Sequence, residues 1–178
     1  ITYAADSRLY LPDRPEDRPE WNGYAGLAFG HRYLEFLGVD NANPERGAGC
    51  VVALLDTPLA SHTSLNDSNI VTRDELGLLA SAQDLDCSHG TAVASIVAGA
   101  NGISPGVSLL SLPVVGADGS CSAFELAAAI VMAVDSGADI ISISLAAAEG
   151  NAVLEAAVSY ASENQVLLVA AAGNDGGE

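Results

Sequence analysis

Three polar residues stand where strands end or a helix begins, each in a context of apolar or very small side chains. Asp56 closes the run Cys50-Val51-Val52-Ala53-Leu54-Leu55, His89 opens the run Gly90-Thr91-Ala92-Val93-Ala94-Ser95-Ile96-Val97-Ala98, and Asn174 follows Ala170-Ala171-Ala172-Gly173. Their chemistry is complementary. A carboxylate held against an imidazole fixes its tautomer and stabilises the cation formed when the ring takes a proton; a carboxamide at a strand end donates to a developing oxyanion. These are parts of a base-assisted reaction through an oxyanion, and the nucleophile is what the set lacks. Ser88 is expected to cap the helix that follows. That puts His89 in the first turn, where the positive end of the helix disfavours an imidazolium and keeps a neutral base available.

The elements that would position these residues read as alternating strands and helices. The continuous apolar run ending at Asp56 has the length of a strand buried on both faces. Apolar runs at Val107 to Val115, Asp139 to Leu145 and Val166 to Ala171 predict further strands, and helical spacing predicts helices over Ser122 to Ser136 and Asn151 to Glu163. A short strand is expected at Asn69 to Thr72. Leu27, Tyr33, Leu34 and Leu37 recur at helical spacing, with Gly38 as the stop. The order βαβαβαβ implies an α/β fold, a parallel sheet with right-handed crossovers and helices on both faces. Ligands in such sheets gather at the carboxyl ends of strands, where Asp56, Leu145 and Gly173 lie. Gly47-Ala48-Gly49 precedes its strand instead of following it, which excludes a dinucleotide fingerprint. Residues 1–20, with the proline- and charge-rich Pro12-Asp13-Arg14-Pro15-Glu16-Asp17-Arg18-Pro19, read as an extended surface arm.

Composition narrows the classes of partner. A chain of 178 residues, 49% apolar, suits one domain with a single sizeable core. Its formal net charge of −17 comes from 23 acidic residues against six basic ones, all of them Arg. Nucleic acid and anionic membranes are therefore poor partners, and none is expected. No apolar run reaches the length of a membrane span. Ile1 stands first with no leader after it, so a processed product is expected. Cys50, Cys87 and Cys121 allow at most one internal bridge and offer no zinc-like spacing.

Taken in order, Val51-Val52-Ala53-Leu54-Leu55-Asp56-Thr57, Ser88-His89-Gly90-Thr91-Ala92-Val93-Ala94 and Ala171-Ala172-Gly173-Asn174 resemble the Asp, His and oxyanion-Asn blocks of subtilisin-like serine proteases, peptidase family S8. The resemblance covers residues 21–178, about the first two thirds of such a catalytic domain. It implies a three-layer subtilisin-like fold, incomplete in this chain, and a serine endopeptidase in which Asp56 orients His89, His89 is general base and then general acid, and Asn174 serves the oxyanion hole. The family's serine block does not occur before Glu178. The resemblance thus places the nucleophile on a missing or separately cleaved C-terminal segment. It also implies a peptide substrate clamped between Gly119-Ser120-Cys121 and Ser144-Leu145-Ala146, with Ala171, Ala172 and Gly173 along the P1 pocket wall. An exported protein, secreted or periplasmic, made with a removable pro-segment and matured by autoprocessing, completes that picture. A second function from a different class is a catalytically inactive domain of the same fold that binds peptides or protein partners.

By analogy with thermostable members, the resemblance also suggests a Cys87–Cys121 disulfide, closing a loop of about 34 residues and contributing roughly 3–4 kcal/mol. Cys50 is expected to be an inert core thiol. Departures from the family pattern are Pro58 for a glycine, Ala92 for a second histidine, and Ala146-Ala147 for glycines. The segment Gly99 to Pro105 is too short for the family's calcium loop, so no metal or other cofactor is expected. His31 and His62 are assigned no catalytic role, and Asp84, Asp86 and Glu149 would lend the cleft negative potential.

Overall fold

The apolar run before Asp56 forms β2 (Val51–Asp56), a strand buried on both faces. The computed structural model describes residues 8–10, 34, 37–39, 43–79, 87–146 and 151–172. In it β1 is Arg8–Tyr10, β3 Asn69–Thr72, β4 Ser108–Pro113, β5 Ser120–Ser122, β6 Ile140–Ile143 and β7 Leu167–Ala170. Helices α1 (Ser88–Ala98), α2 (Ala123–Asp135) and α3 (Ala152–Glu163) connect them.

β2 lies at the centre of a five-stranded parallel sheet ordered β3-β4-β2-β6-β7. Alternate residues of β2 point to opposite faces, and the two faces have different covers. Ala53 and Leu55 belong to one buried cluster with Leu126, Ile130 and Ala133 of α2 and Ala157 and Ala161 of α3. Val52 and Leu54 join Ala94 and Ala98 of α1 in another. From β2 the chain crosses to the edge strand β3, returns through α1 to β4, and continues in that direction through α2 to β6 and through α3 to β7. All three helical crossovers step across the sheet in the same direction, yet α1 covers the face opposite α2 and α3, so the β3–α1–β4 crossover has the opposite hand to the other two and the expectation of right-handed crossovers does not hold throughout. Asp56 is the last residue of β2, at the carboxyl end of the central strand.

Helix starts follow local chemistry. Ser122 caps α2 in a reciprocal capping box, its hydroxyl accepting from the Glu125 N–H and the Glu125 carboxylate accepting from the Ser122 N–H. Asn151 caps α3 through its side-chain oxygen. At Gly38, φ is +67° and the Val39 N–H reaches back to the Leu34 carbonyl at 2.8 Å, the closure expected of a glycine stop. Most of the helix expected over Gly23 to Gly38 lies outside the described residues.

The N-terminal arm departs from expectation. Residues 8–10 are extended, yet they are not a free surface arm: β1 pairs antiparallel with β5, and Leu9 is buried. The rest of residues 1–20 lies outside the described residues. The sheet strands are also shorter than their apolar runs. Val107, Val114, Val115 and Leu145 are buried beyond the ends of the ladders, since burial continues where strand pairing has stopped.

Behind α1 the chain turns tightly, with Ile103 and Ser104 N–H groups closing on the carbonyls of Ile96 and Val97. Arg46 fixes this turn, donating from Nε to the Ile103 carbonyl and from Nη2 to the Gly102 carbonyl at 3.0 Å. Arg46→Met keeps the aliphatic stem and leaves these partly buried carbonyls without their charged donor, a loss of about 1.5–3 kcal/mol. Thermal unfolding of the variant is expected roughly 5–10 °C below the parent.

Candidate active site

The site is built by bringing the end of β2 against the start of α1. Gly90 makes this approach possible: a Cβ there would lie 2.4 Å from the Thr57 carbonyl oxygen and 2.9 Å from its hydroxyl. The Gly90 N–H donates to Thr57 Oγ1 at 2.8 Å. Thr91 locks the other side, its hydroxyl donating to the Cys87 carbonyl at 2.6 Å while accepting from the Ala60 N–H at 2.9 Å. Ser88 is not the cap that the sequence suggests. Cys87 occupies the cap position without a side-chain bond, Ser88 is the first helical residue, and Thr57 satisfies an otherwise orphaned helix N–H from a different element. His89 still falls in the first turn.

With that scaffold in place, His89 Nδ1 stands 2.8 Å from Asp56 Oδ1. The carboxylate accepts, so the neutral ring carries its proton on Nδ1 and leaves Nε2 as the lone-pair nitrogen. The Asp56 side chain is fully buried while that of His89 keeps 32% of its surface exposed, a buried orienting charge beneath an accessible base. Asp56 Oδ1 also accepts from the Thr57 N–H at 2.6 Å, and the Asp56 carbonyl accepts from the Val114 N–H at 2.9 Å, which pins the strand end to β4. Oδ2 is buried without a partner among the described residues, so few donors compete with the imidazole for the negative charge. The arrangement can hold a tautomer, accept a proton and stabilise the resulting cation. Thr57 and Thr91, both buried, are positioning residues that the sequence reading missed. Their signal was a hydroxyl on either side of the contact, one directly after Asp56 and one directly after Gly90.

The other expected site residues are placed as follows. Gly119 lies in the turn before β5, Ser120 and Cys121 are in β5 and buried, and Ser144, Leu145 and Ala146 follow β6, with Leu145 buried in the same cluster as Cys121. Ala171 and Ala172 are exposed just after β7, the Ala171 N–H donating to the Ile143 carbonyl at 3.0 Å and so holding this strand end beside that of β6. Gly173 and Asn174 lie outside the described residues, as do His31, Asp84, Asp86 and Glu149. His62 is spent on structure: its Nδ1 accepts from the Ser64 hydroxyl and N–H, and Ser64 in turn bonds Ser95 of α1.

Residues 47–178 match the subtilase family. The chain belongs to that family. It is 35% identical over 139 residues to subtilisin Savinase of Lederbergia lenta, a match covering 73% of this chain and 49% of that protein. It is 34% identical over 138 residues to the alkaline elastase YaB of Bacillus sp. (strain YaB), covering 73% and 35%. Among solved structures, the S218A mutant of the protease domain of PatA superposes with a TM-score of 0.67 at 33% identity, covering 76% of this chain and 54% of that one. The self-cleaved protease domain of PatA gives 0.62 at 33% identity, covering 74% and 52%. This subtilase chain spans about half the length of Savinase and of the PatA domains, and its mostly parallel sheet with helices on both faces is the subtilisin-like architecture in incomplete form.

The disulfide is a correction. Cys87 and Cys121 are not joined in a disulfide: Cys121 is buried under β1 with its Sγ donating to the Ser122 carbonyl, and Cys87 is half-buried in a groove it shares with His62, Thr91 and Ala92. Cys50 is half-buried beside Asp139, and not a core residue. Burial first, and then the Asp139 charge and hydrogen bond, push its thiol pKa up.

Two outcomes are expected. Gly90→Ala forces the Thr57 backbone away from α1, destabilising the fold by about 1–3 kcal/mol and removing the low-field proton resonance of His89 Nδ1; an unchanged resonance and melting curve would show that the contact is dispensable. Because Cys50 has a raised pKa when folded, its alkylation by iodoacetamide should begin at higher pH in the native chain than in the unfolded one, and Asp139→Asn should narrow that gap.

Proposed function

We propose that this chain is the Asp- and His-bearing part of a serine endopeptidase that cleaves peptide bonds by acyl transfer. The observation that carries the reading is the buried Asp56 carboxylate bonded to the half-exposed imidazole of His89 at the carboxyl end of the central strand. In this reading His89 Nε2 takes the proton from a serine hydroxyl as it attacks the scissile carbonyl. Asp56 stabilises the imidazolium, and the same nitrogen returns the proton to the leaving amine. Asn174 donates to the oxyanion. The peptide lies as an added strand between Gly119-Ser120-Cys121 and Ser144-Leu145-Ala146, with Ala171, Ala172 and Gly173 beside its P1 side chain; small uncharged walls favour an apolar or broadly tolerated residue there.

The serine is assigned to a segment of the same precursor that seats against β7. Parallel strands are normally covered on both faces, yet in β7 Leu167 and Val169 are 58% and 52% exposed, and the strand forms the sheet edge. An exported protein with a removable pro-segment and self-cleavage fits the reading. No helix among the described residues is long and apolar enough to cross a membrane.

A fluorophosphonate probe applied to the full precursor or its assembled fragments should label one serine, and Asp56→Asn should lower the rate of peptide hydrolysis by about 10⁴-fold with little change in KM. A correctly folded protein that binds peptides but takes no label would instead be an inactive binding domain.

A further inference from the structure

An aspartate at the end of a strand commonly folds its side chain back onto the N–H of the second residue on, and the turn so formed satisfies a carboxylate oxygen. For Asp56 that residue is Pro58, which has no N–H to give. The two donors that Asp56 does have converge on a single oxygen: Oδ1 accepts from the Thr57 N–H at 2.6 Å and from His89 Nδ1 at 2.8 Å. Oδ2 is buried with no partner among the described residues, and Pro58 is buried as well. An orphaned buried oxygen is rare enough to need a cause. The backbone around Pro58 keeps its course by other means, since Thr57 Oγ1 accepts from the Gly90 N–H and the Ala60 N–H donates to Thr91 Oγ1.

We propose that Pro58 is a positioning residue that acts by withholding a donor: it leaves Oδ2 without a backbone N–H and so directs the charge of Asp56 to the His89 imidazole. The proposal rests on the reading of His89 as the general base. A buried carboxylate that accepts fewer backbone N–H bonds keeps more of its charge for an adjacent cation, and the imidazolium is stabilised accordingly. The surroundings are otherwise sparing of charge. Among the described residues, the titratable groups on the elements packed around the pair are Cys87 at the cap of α1 and His62, whose Nδ1 is held by Ser64. β4 ends in Pro113-Val114-Val115 and β6 is followed by Ser144-Leu145-Ala146, none of them charged.

The test follows the His89 ring by NMR across pH in the full chain and in Pro58→Ala, which restores the N–H and keeps a Cβ. The pKa of the ring should fall by about one unit in the variant, the size expected when a hydrogen bond to a charged group is shared between carboxylate and imidazolium. Its Nδ1 proton resonance should move upfield. Because the substitution also removes ring carbons, N-methylalanine at position 58 serves as the second variant, placed by joining a synthetic segment 50–86 at Cys50 and Cys87. It lacks both the ring and the N–H, and should keep the parent pKa. If Pro58→Ala does not fold, the bulkier Pro58→Val takes its place with the same expected fall. An unchanged pKa in a folded donor-bearing variant, an equal fall with N-methylalanine, or failure of both Pro58→Ala and Pro58→Val to fold overturns the proposal and makes Pro58 a packing residue. The base works as the neutral ring, so in the assembled protein the acid limb of kcat/KM should move to lower pH by the same amount. Fluorophosphonate labelling run in parallel separates the two readings: a lowered pKa without labelling sinks the peptidase and keeps the effect of Pro58 on His89, and labelling without a lowered pKa does the reverse.

Discussion

The distance between two chain segments, Asp56-Thr57 and His89-Gly90, governs the rest of the structure. Everything chemical depends on a carboxylate at a strand end meeting an imidazole in the first turn of a helix, and the backbones must nearly touch for side chains this short to span the gap. Gly90 supplies the room, and the hydroxyls of Thr57 and Thr91 convert the contact into hydrogen bonds. The arrangement is costly. A buried carboxylate loses several kcal/mol of hydration, and Asp56 recovers it through few donors, with Oδ2 left unpaired among the described residues. A core that tolerates such a group is one whose stability is supplied elsewhere, here by the two apolar clusters that cover opposite faces of β2.

That division of labour explains what could be read from the sequence. Cys50 to Leu55 is a six-residue apolar run with no alternation, of strand length and preceded by Gly47 and Gly49, the pattern of a strand buried on both faces, so β2 and the carboxylate at its end were legible directly. The helices were legible from spacing and from caps that lie next to them in sequence, Ser122 with Glu125 and Asn151 with Val153. The cap of α1 was not. Its donor is satisfied by Thr57, more than thirty positions away, and no local pattern announces a partner of that kind. Ser88, the obvious local candidate, is therefore left inside the helix it was expected to start.

The same limit accounts for the errors at the cysteines and at the N-terminal arm. Cys121 alternates inward in β5, beneath Leu9, while Cys87 precedes a helix on the other side of the sheet from α2; the bridge between them was an analogy, and the inward direction of Cys121 was fixed by a strand pairing that sequence spacing does not reveal. The strand responsible, β1, is three residues long and lies beside a proline-rich stretch that argues against regular structure. Propensity has little say in so short an element. It forms because a partner edge more than a hundred residues away offers backbone groups and an apolar hollow for Leu9.

Strand edges then divide the molecule into surfaces of different meaning. β3, at one side of the main sheet, carries Asn69 and Thr72 and only one strongly exposed apolar residue, Val71. Such an edge is short and polar enough to face water. β5 is closed by the chain's own Leu9. β7 has neither protection: Leu167-Leu168-Val169-Ala170 is apolar throughout, three of its four residues exposed, with no charge or proline to discourage another chain. In a protein whose net charge of −17 otherwise makes for a repulsive, soluble surface, an apolar parallel strand at the sheet edge is the feature that selection against aggregation would remove first. The serine-bearing segment proposed above would make that strand an interior one.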